Sequence, residues 1–385
     1  MVVTDYEKCS GCAACENSCG YGAITMQPNE LGAIIPQIDP SKCVSCGLCV
    51  KICPQNSAPN LHKPLDCFAV TRKNPERLTG SSSGGVGAGL SELVISQGGV
   101  VCGSTFSNGR ICHVVAETKL DIEQFKGSKY VQSETGHVFG QILHYLKKDR
   151  FVLFAGTPCQ VDGLLHFLRR PYDNLLTIDL ICHGVPPQQY LKEHIRSVTG
   201  KDISALQKIS FRQGINFHLE LTANQRRVYQ KKSSEDIYFQ SFCDSLTYRK
   251  NCYNCQYAQT SRCADITIGD YWGIDRSELS FKTNSPISVV LINTPKGAKL
   301  WADAQHIFLC QSRPLEDAVA KNDQLQAPSR PHKDRALFEF WYPIVGFDNA
   351  VKKTSLFRKI LRQRIRRIVM MPLTIMRSLL KHLGD

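Results

Sequence analysis

The sequence predicts a small α+β module followed by a larger α/β domain with a partly parallel sheet, and three observations carry that prediction. A cysteine run is duplicated within the first 60 residues; apolar β-rich stretches alternate with helical ones after residue 64; and two successive strand–turn units begin at Phe151 and Leu175. The chain's 385 residues suffice for two or three domains with a buried core.

The duplication comes first. Cys9-x-x-Cys12-x-x-Cys15-x-x-x-Cys19 returns as Cys43-x-x-Cys46-x-x-Cys49-x-x-x-Cys53-Pro54. Two-residue spacings let three thiolates on one tight loop reach three irons of a cubane, while the fourth cysteine starts a helix that leads to the other cluster. The predicted assignment is crossed: Cys9, Cys12, Cys15 and Cys53 hold one 4Fe-4S cluster, and Cys43, Cys46, Cys49 and Cys19 the other. Gly11 and Gly47 keep the loops small enough for backbone N–H groups to approach the sulfurs. Zinc wants four ligands grouped as two pairs, not three close together plus one. Residues 1–60 therefore read as a ferredoxin-like dicluster domain. The first run ends Cys19-Gly20 where the second ends Cys53-Pro54, so the Cys19 loop is expected to be the looser. Such a module carries electrons without choosing a substrate, and the chemistry has to come from the rest of the chain.

The residues before Cys9 show neither a basic n-region nor an apolar run, which predicts a cytoplasmic chain. In a reducing compartment the 18 cysteines read as thiols or metal thiolates, not as disulfides. The net charge of +13 would suggest nucleic acid if it covered a face, but residues 351–385 alone hold ten Lys or Arg against one acid. The body is near balance and has no basic stripe interleaved with aromatics, which argues against a nucleic-acid partner.

Beyond the linker Pro59–Pro64, four segments stand out in the domain expected over 67–345. Gly80-Ser81-Ser82-Ser83-Gly84-Gly85 leads into a helix over Val86–Ser96, offering free N–H groups and a favourable dipole to a phosphate. It matches neither G-x-G-x-x-G nor the P-loop, and a plain flexible loop is the alternative. Phe151–Phe154 is a strand whose turn leaves Thr157 to cap a helix and Pro158 to occupy its first position. Cys159 then lies near a positive helix end, as a metal ligand, a redox thiol or a cofactor neighbour. Leu175–Ile181 repeats the geometry, with Cys182-His183-Gly184 leaving its end, and parallel strands bring both loops to one sheet edge. Cys252-x-x-Cys255 and Cys263 want a fourth ligand, which Cys182 or Cys159 could supply to complete a third iron–sulfur cluster; a three-cysteine zinc site is the alternative. Asp270, Tyr271 and Trp272 end a strand, either against a cofactor ring or in the core. Cys67, Cys102, Cys112, Cys243 and Cys310 lack spacing logic and read as core residues.

Taken together, Gly80–Gly85, Lys126-Gly-Ser-Lys-Tyr-Val131, Gly156-Thr-Pro-Cys-Gln160, Asp179-Leu-Ile-Cys-His-Gly184 and Ala264-Asp-Ile-Thr-Ile-Gly-Asp-Tyr-Trp-Gly273 resemble the family of coenzyme F420 hydrogenase/dehydrogenase beta subunits over roughly 67–310. The resemblance implies a bound FAD, a 4Fe-4S cluster, and an oxidoreductase passing electrons between iron–sulfur centres and a two-electron carrier such as coenzyme F420. It implies Gly80, Ser81, Ser82, Ser83, Gly84, Gly85, Lys126, Ser128, Lys129, Tyr130 and Thr157 as flavin contacts. It makes Cys182, Cys252, Cys255 and Cys263 cluster ligands, leaves Cys159 as the first of the five to set aside, and places Cys159 and His183 in catalytic roles beside the flavin. A redox partner protein, a ferredoxin or a partner enzyme, is implied at the other end. Members with a fused ferredoxin domain are also encoded beside polysaccharide-synthesis enzymes. The rival reading is a non-catalytic electron-transfer adaptor that docks on a partner enzyme.

Residues 346–385 read as a basic amphipathic tail. Leu356, Phe357, Ile360, Leu361 and Ile365 interleave with basic residues at helical spacing, and the apolar run 368–376 is interrupted by Pro372 and too short to span a bilayer. Such a helix lies on the anionic inner face of a membrane, docks on an acidic partner protein, or covers part of the core.

Overall fold

The computed structural model describes residues 2–369. The two cysteine runs fold alike: α1 (Ala14–Ser18) and α2 (Leu48–Lys51) each follow a cysteine loop, and β1 (Ile24–Pro28) and β2 (Ile34–Ile38) pair antiparallel between them. Both loops turn through left-handed backbone at equivalent places, Gly11 (φ 68°) with Ala13 (φ 60°) and Ser45 (φ 57°) with Gly47 (φ 73°). Each repeat carries a glycine at a different one of the two positions. Left-handed residues at such places turn successive N–H groups toward a common centre, as an anionic group between them requires.

The larger domain starts with β3 (Asp66–Arg72), α3 (Val86–Ser96), β4 (Val100–Ser107), β5 (Arg110–Ala116) and α4 (Val138–Lys147). It continues with β6 (Val152–Gly156), α5 (Pro158–Leu168), β7 (Leu175–Leu180) and α6 (Gln188–Thr199). A three-stranded antiparallel ribbon, β8 (Lys208–Gln213), β9 (Asn216–Ala223) and β10 (Arg226–Lys232), leads to α7 (Ile237–Cys243). The chain returns through β11 (Ile266–Asp270), β12 (Ser288–Ile292), α8 (Pro295–Ala304), β13 (Phe308–Ser312) and α9 (Leu315–Ala320), and closes with α10 (Arg335–Val345), α11 (Phe347–Lys352) and α12 (Ser355–Val369).

Eight strands form one mixed sheet in the order β13-β3-β12-β11-β7-β6-β4-β5. The neighbours β4, β6, β7 and β11 are parallel, and β3, two antiparallel steps from β11 through β12, points the same way. The C-terminal ends of these five strands therefore share one edge. The central strands are apolar along their whole length because both faces are covered, as Ser288–Ile292 shows with every residue buried. Val86, Leu90 and Val94 of α3 and Trp301 of α8 cover one face. Phe139 and Ile142 of α4 and Val161 and Leu164 of α5 cover the other, in a core that also takes in Val3, Cys12, Cys15, Ile24, Ile52 and Cys53 of the N-terminal module.

That shared core turns on Gly163 in the middle of α5. A Cβ there would stand 2.8 Å from both Cβ and Sγ of Cys12. Glycine to alanine inside a helix ordinarily gains about 1 kcal/mol. Here Gly163→Ala is expected to cost roughly 1–3 kcal/mol, because backbone-anchored Cys12 cannot give way. Thermal unfolding checks it, and a stabilised variant would refute this packing. The linker is held as well: His62 and Arg262 exchange backbone hydrogen bonds of 2.8 and 2.9 Å.

A third core gathers α6, α7, α10, α11 and α12 around β8–β10. It corrects the expectation of a tail from residue 346. Phe347, Ala350, Val351, Leu356 and Ile360 are fully buried, so the apolar face of the first part of α12 belongs to the fold. Three of its basic residues serve the same contact, Lys359 pairing with Asp244, Arg367 with Glu235, and Arg364 donating to the Glu235 carbonyl. Most of the apolar run 368–376 lies outside the described residues. Cys243 also departs from expectation: it ends α7 and is exposed, while Phe239 and Phe242 of that helix turn inward. Among the described residues no helix is long and apolar enough to cross a membrane.

Candidate functional site

In the N-terminal module Cys9, Cys12, Cys15 and Cys53 are buried and line one cavity, so the fourth cysteine of the second run stands with the first three of the first run. Burial pushes the Cys12 and Cys15 thiols well above the usual cysteine range, and the neighbouring cysteines push the same way. Cys43 and Cys49 are half-buried on the second loop and Cys46 is exposed. Cys19, half-buried at the end of α1, accepts from the Ala23 N–H at 3.3 Å.

A second cysteine cavity opens at the shared C-terminal edge of the large sheet. Cys159 reaches it from the first turn of α5, whose start is set by Pro158 and by Gln160 accepting from the Thr157 N–H at 3.0 Å. Cys182 and His183 reach it from the end of β7, and Cys252 and Cys255 from the loop after α7. Arg262 holds that loop in place. Its buried guanidinium faces Asp179 of β7 at 3.2 Å and donates to the carbonyls of Tyr257 (2.8 Å) and Leu180 (2.9 Å).

The cavity gathers four of the five candidate cysteines. Cys159, Cys182, Cys252 and Cys255 line it, and Cys263 does not. The Cys263 thiol donates to the Pro158 carbonyl at 3.3 Å and lies 3.8 Å from Asp179, on the inner side of the α5 turn. At Cys159 two influences on the thiol oppose each other. Burial outweighs the helix end and pushes it up to about 12, with Cys255 and Cys252 adding to the rise. Cys252 is pushed by burial to about 11 and Cys182 well above the ordinary value. Buried thiols this resistant to ionisation become thiolates when a metal site supplies the positive charge. Among the described residues no three His, Cys, Asp or Glu draw together as ligands of a single ion, the duplicated cysteines included. One zinc at about 2.3 Å would hold its thiolates closer together than a cluster with several irons does.

The two cavities adjoin. Ser10 lines both. Cys159 and Gly163 lie one turn apart on α5, the first in one cavity and the second against Cys12 of the other. The cysteine loop also grips the N-terminal module directly, Gln256 donating to the Pro54 carbonyl at 3.2 Å and the Tyr257 hydroxyl accepting from Gln55 Nε2 at 3.4 Å.

The residues expected to contact a flavin divide into three groups. The loop Gly80–Gly85 does meet Lys126–Ser128: the Ser128 N–H donates to Ser82 Oγ at 2.6 Å, and Lys126 packs beside Gly80. Ser81 Oγ in that loop is buried without a partner among the described residues, as a group awaiting a polar ligand is. Ser83, Gly84 and Gly85 are sewn to the sheet instead. Ser83 donates to the Ile287 carbonyl, a Cβ at Gly84 would stand 2.2 Å from the Val70 carbonyl, and one at Gly85 2.8 Å from Arg72. Lys129 and Tyr130 turn inward. Lys129 donates to the carbonyls of Gln124, Phe125 and Lys126, burial lowering it to about 7, and the Tyr130 ring packs on Phe211, Phe239 and Phe242. Thr157 and His183 belong to the cysteine cavity. Burial lowers His183 below the usual histidine value, with Asp270 and Asp323 opposing, so it is neutral at pH 7. Asp270 pairs with Arg212, and Trp272 stacks on Phe217 and is 39% exposed.

The family model for the C-terminal region of the coenzyme F420 hydrogenase/dehydrogenase beta subunit matches residues 149–317, which hold all four cysteines of the sheet-edge cavity. A 4Fe-4S dicluster domain matches residues 8–57. The F subunit of the F(420)H(2) dehydrogenase of Methanosarcina mazei is 26% identical over 289 residues, covering 69% of this chain and 76% of that one. Residues 149–317 thus belong to the C-terminal region of the coenzyme F420 hydrogenase/dehydrogenase beta-subunit family, with a 4Fe-4S dicluster domain at residues 8–57 in front. The chain is also similar to Ferredoxin-3 of Nostoc sp., 30% identical over 76 residues, covering 16% of this chain and 76% of that one. It is similar as well to the B subunit of an ion-translocating oxidoreductase complex from Methanosarcina acetivorans, 43% identical over 49 residues, which are 13% of this chain and 17% of that one. Among solved structures, the F420-reducing NiFe hydrogenase complex from Methanosarcina barkeri matches with a TM-score of 0.43 at 17% identity, over 80% of this chain and 93% of that one.

Sequence reasoning passed over one residue of this site in the beta-subunit relative. Arg249 stands in the wall between the two cavities. Its only signal was a position three residues ahead of a cysteine pair, which no spacing rule distinguishes from a surface arginine.

Proposed function

We propose that this member of the beta-subunit family is a cytoplasmic flavin- and iron–sulfur-dependent oxidoreductase that joins its N-terminal clusters to a two-electron carrier such as coenzyme F420. In this reading Cys9, Cys12, Cys15 and Cys53 hold one N-terminal cluster, and Cys19, Cys43, Cys46 and Cys49 the other. Cys159, Cys182, Cys252 and Cys255 hold a third 4Fe-4S cluster. The observation that carries the reading is the adjacency of the two cysteine cavities, with Ser10 in the wall of both. Electron carriers are useful only when close together, and a single turn of α5 links Cys159 to the packing of Cys12.

A flavin, when bound, exchanges one or two electrons and so suits the junction between one-electron centres and a two-electron carrier. The fit of the loop supports it: Gly80–Ser82 with Lys126 and Ser128 offers a cation, hydroxyls and the unpartnered Ser81 Oγ to a polar group. His183 presents one ring N–H and one ring lone pair at the strand edge, which suits proton exchange there. The exposed face of α12, with Arg358, Leu361, Arg362, Ile365 and Arg366, supports contact with an acidic redox partner protein.

Anaerobic purification followed by iron, sulfide and flavin quantitation tests the reading. About twelve irons with one FAD per chain is expected. About eight irons with no flavin would sink it and leave a dicluster carrier on a docking domain.

A further inference from the structure

The wall between the two cysteine cavities contains a buried positive charge. Arg249 is 3% exposed. Its Nη1 donates to Gln132 Oε1 at 2.8 Å, and its Nη2 donates to the backbone carbonyls of Cys9 at 2.8 Å and Ile34 at 3.0 Å. All three acceptors are neutral, and among the described residues no carboxylate pairs with it. Arg262, in the same cavity, shows the contrast: it faces Asp179 at 3.2 Å. Among the described residues Arg249 Nε and the hydroxyl of Ser10, which lines both cavities, are buried without partners.

A buried guanidinium without a counter-charge is strongly unfavourable, so an anion has to stand beside it in the working protein. The four cysteines on either side supply one. Four thiolates carry more negative charge than a 4Fe-4S core carries positive, so each occupied site is net anionic. Arg249 touches both: it lines the cavity of Cys159 and Cys252, and it holds the carbonyl of Cys9, a wall residue of the other.

We propose that Arg249 is the shared counter-charge of the two cysteine sites, raising the reduction potential of the iron–sulfur centre on each side while clamping the Cys9 loop against the Cys252 loop. The inference rests on the reading above that Cys159, Cys182, Cys252 and Cys255 hold a cluster. Its physics is Coulombic. Reduction adds a negative charge to each centre, and a fixed cation in a low-dielectric wall stabilises the more negative form. Arg249 acts here as a positioning residue, through the charge it brings to the centres.

The test is an EPR-monitored redox titration of the anaerobic, fully loaded protein, as the natural sequence and as Arg249→Met, Arg249→Lys and Gln132→Glu. Gln132→Glu keeps the guanidinium and its clamp but sets a carboxylate against it, cancelling the charge in place. Arg249→Met and Gln132→Glu are each expected to lower the reduced-to-oxidised ratio of two of the three centres about tenfold at the natural midpoint, which is about 59 mV for one electron. The centre of Cys43, Cys46 and Cys49 is expected to stay put, and Arg249→Lys to stay within about twofold of the natural ratio. If Arg249→Met fails to fold, Gln132→Glu decides. Full iron with unmoved potentials in Gln132→Glu would overturn the proposal and leave the three-cluster reading intact. About eight irons in the unsubstituted protein would mark the failure of that reading, and this inference would fall with it.

Discussion

Replacing Cys159 with alanine is expected to remove about one third of the iron from the purified protein, while Cys263→Ala leaves the iron content unchanged. The two cysteines compete for one place, and spacing favours Cys263, which follows the Cys252-x-x-Cys255 pair by eight residues. Geometry reverses the order. Cys159 shares a cavity with Cys182, Cys252 and Cys255, while the Cys263 thiol is spent on the Pro158 carbonyl and turned toward Asp179. Removing Cys263 deletes one buried hydrogen bond and leaves a small void, a loss of about 1–3 kcal/mol in stability with the centre intact. Iron and sulfide quantitation of both variants, with EPR of the reduced forms, separates the outcomes. Iron loss from Cys263→Ala with none from Cys159→Ala would restore the set expected from spacing.

The second large effect is predicted far from the cysteines, at His194. This buried imidazole sits between two carboxylates, Nε2 at 3.0 Å from Asp236 and Nδ1 at 2.7 Å from Asp348. Asp236 also accepts from the Tyr229 hydroxyl at 2.7 Å and caps α7 by accepting from the Phe239 N–H at 2.7 Å. One charge cluster therefore ties α6, β10, α7 and α11 together. Burial alone would lower the imidazole, but Asp236 and Asp348 outweigh it and raise it to about 10 from an ordinary 6.5. The sign follows. A base held above its unfolded value stabilises the fold fully below about pH 6.5, and that contribution is lost as pH rises through about 10. The melting temperature of the natural protein is thus expected to fall between those values, and His194→Gln to abolish that slope. Asp236→Ala is expected to cost roughly 3–5 kcal/mol, since it leaves a buried imidazolium half-paired and α7 uncapped. Circular dichroism melts across the window check both. An unchanged slope in His194→Gln would place the titration elsewhere.

Local patterns were legible because local rules produce them. The four-cysteine runs, the cap and proline that start α5, and the helix over Val86–Ser96 all appear where the sequence predicts them. The two predicted parallel strands, β6 and β7, are adjacent and bring Cys159 and Cys182 to one edge. Direction was harder. Lys129 and Tyr130 sit in a motif of the right composition, yet Lys129 closes the carbonyls of 124–126 and Tyr130 fills an aromatic core, because a side chain's heading depends on elements far away in the chain. The basic stretch after 346 left three readings open for the same reason, and the core-covering one holds for the first part of its helix. Its helical period is visible, but the partner for Leu356 and Ile360 is a core assembled from residues 190–240.

The sequence by itself determined the iron–sulfur character of the protein, since two-residue cysteine spacings bind a cluster through contacts made within one loop. It also determined the alternation of strands and helices, which follows from which residues can bury which face. Only the tertiary structure decided which of five later cysteines line one cavity, and that Arg249 stands between the two cavities with no carboxylate paired to it among the described residues. Those facts depend on residues as far as 240 positions apart meeting across a sheet edge and a domain contact. No local spacing encodes such a meeting; it is set by packing, after the chain has folded.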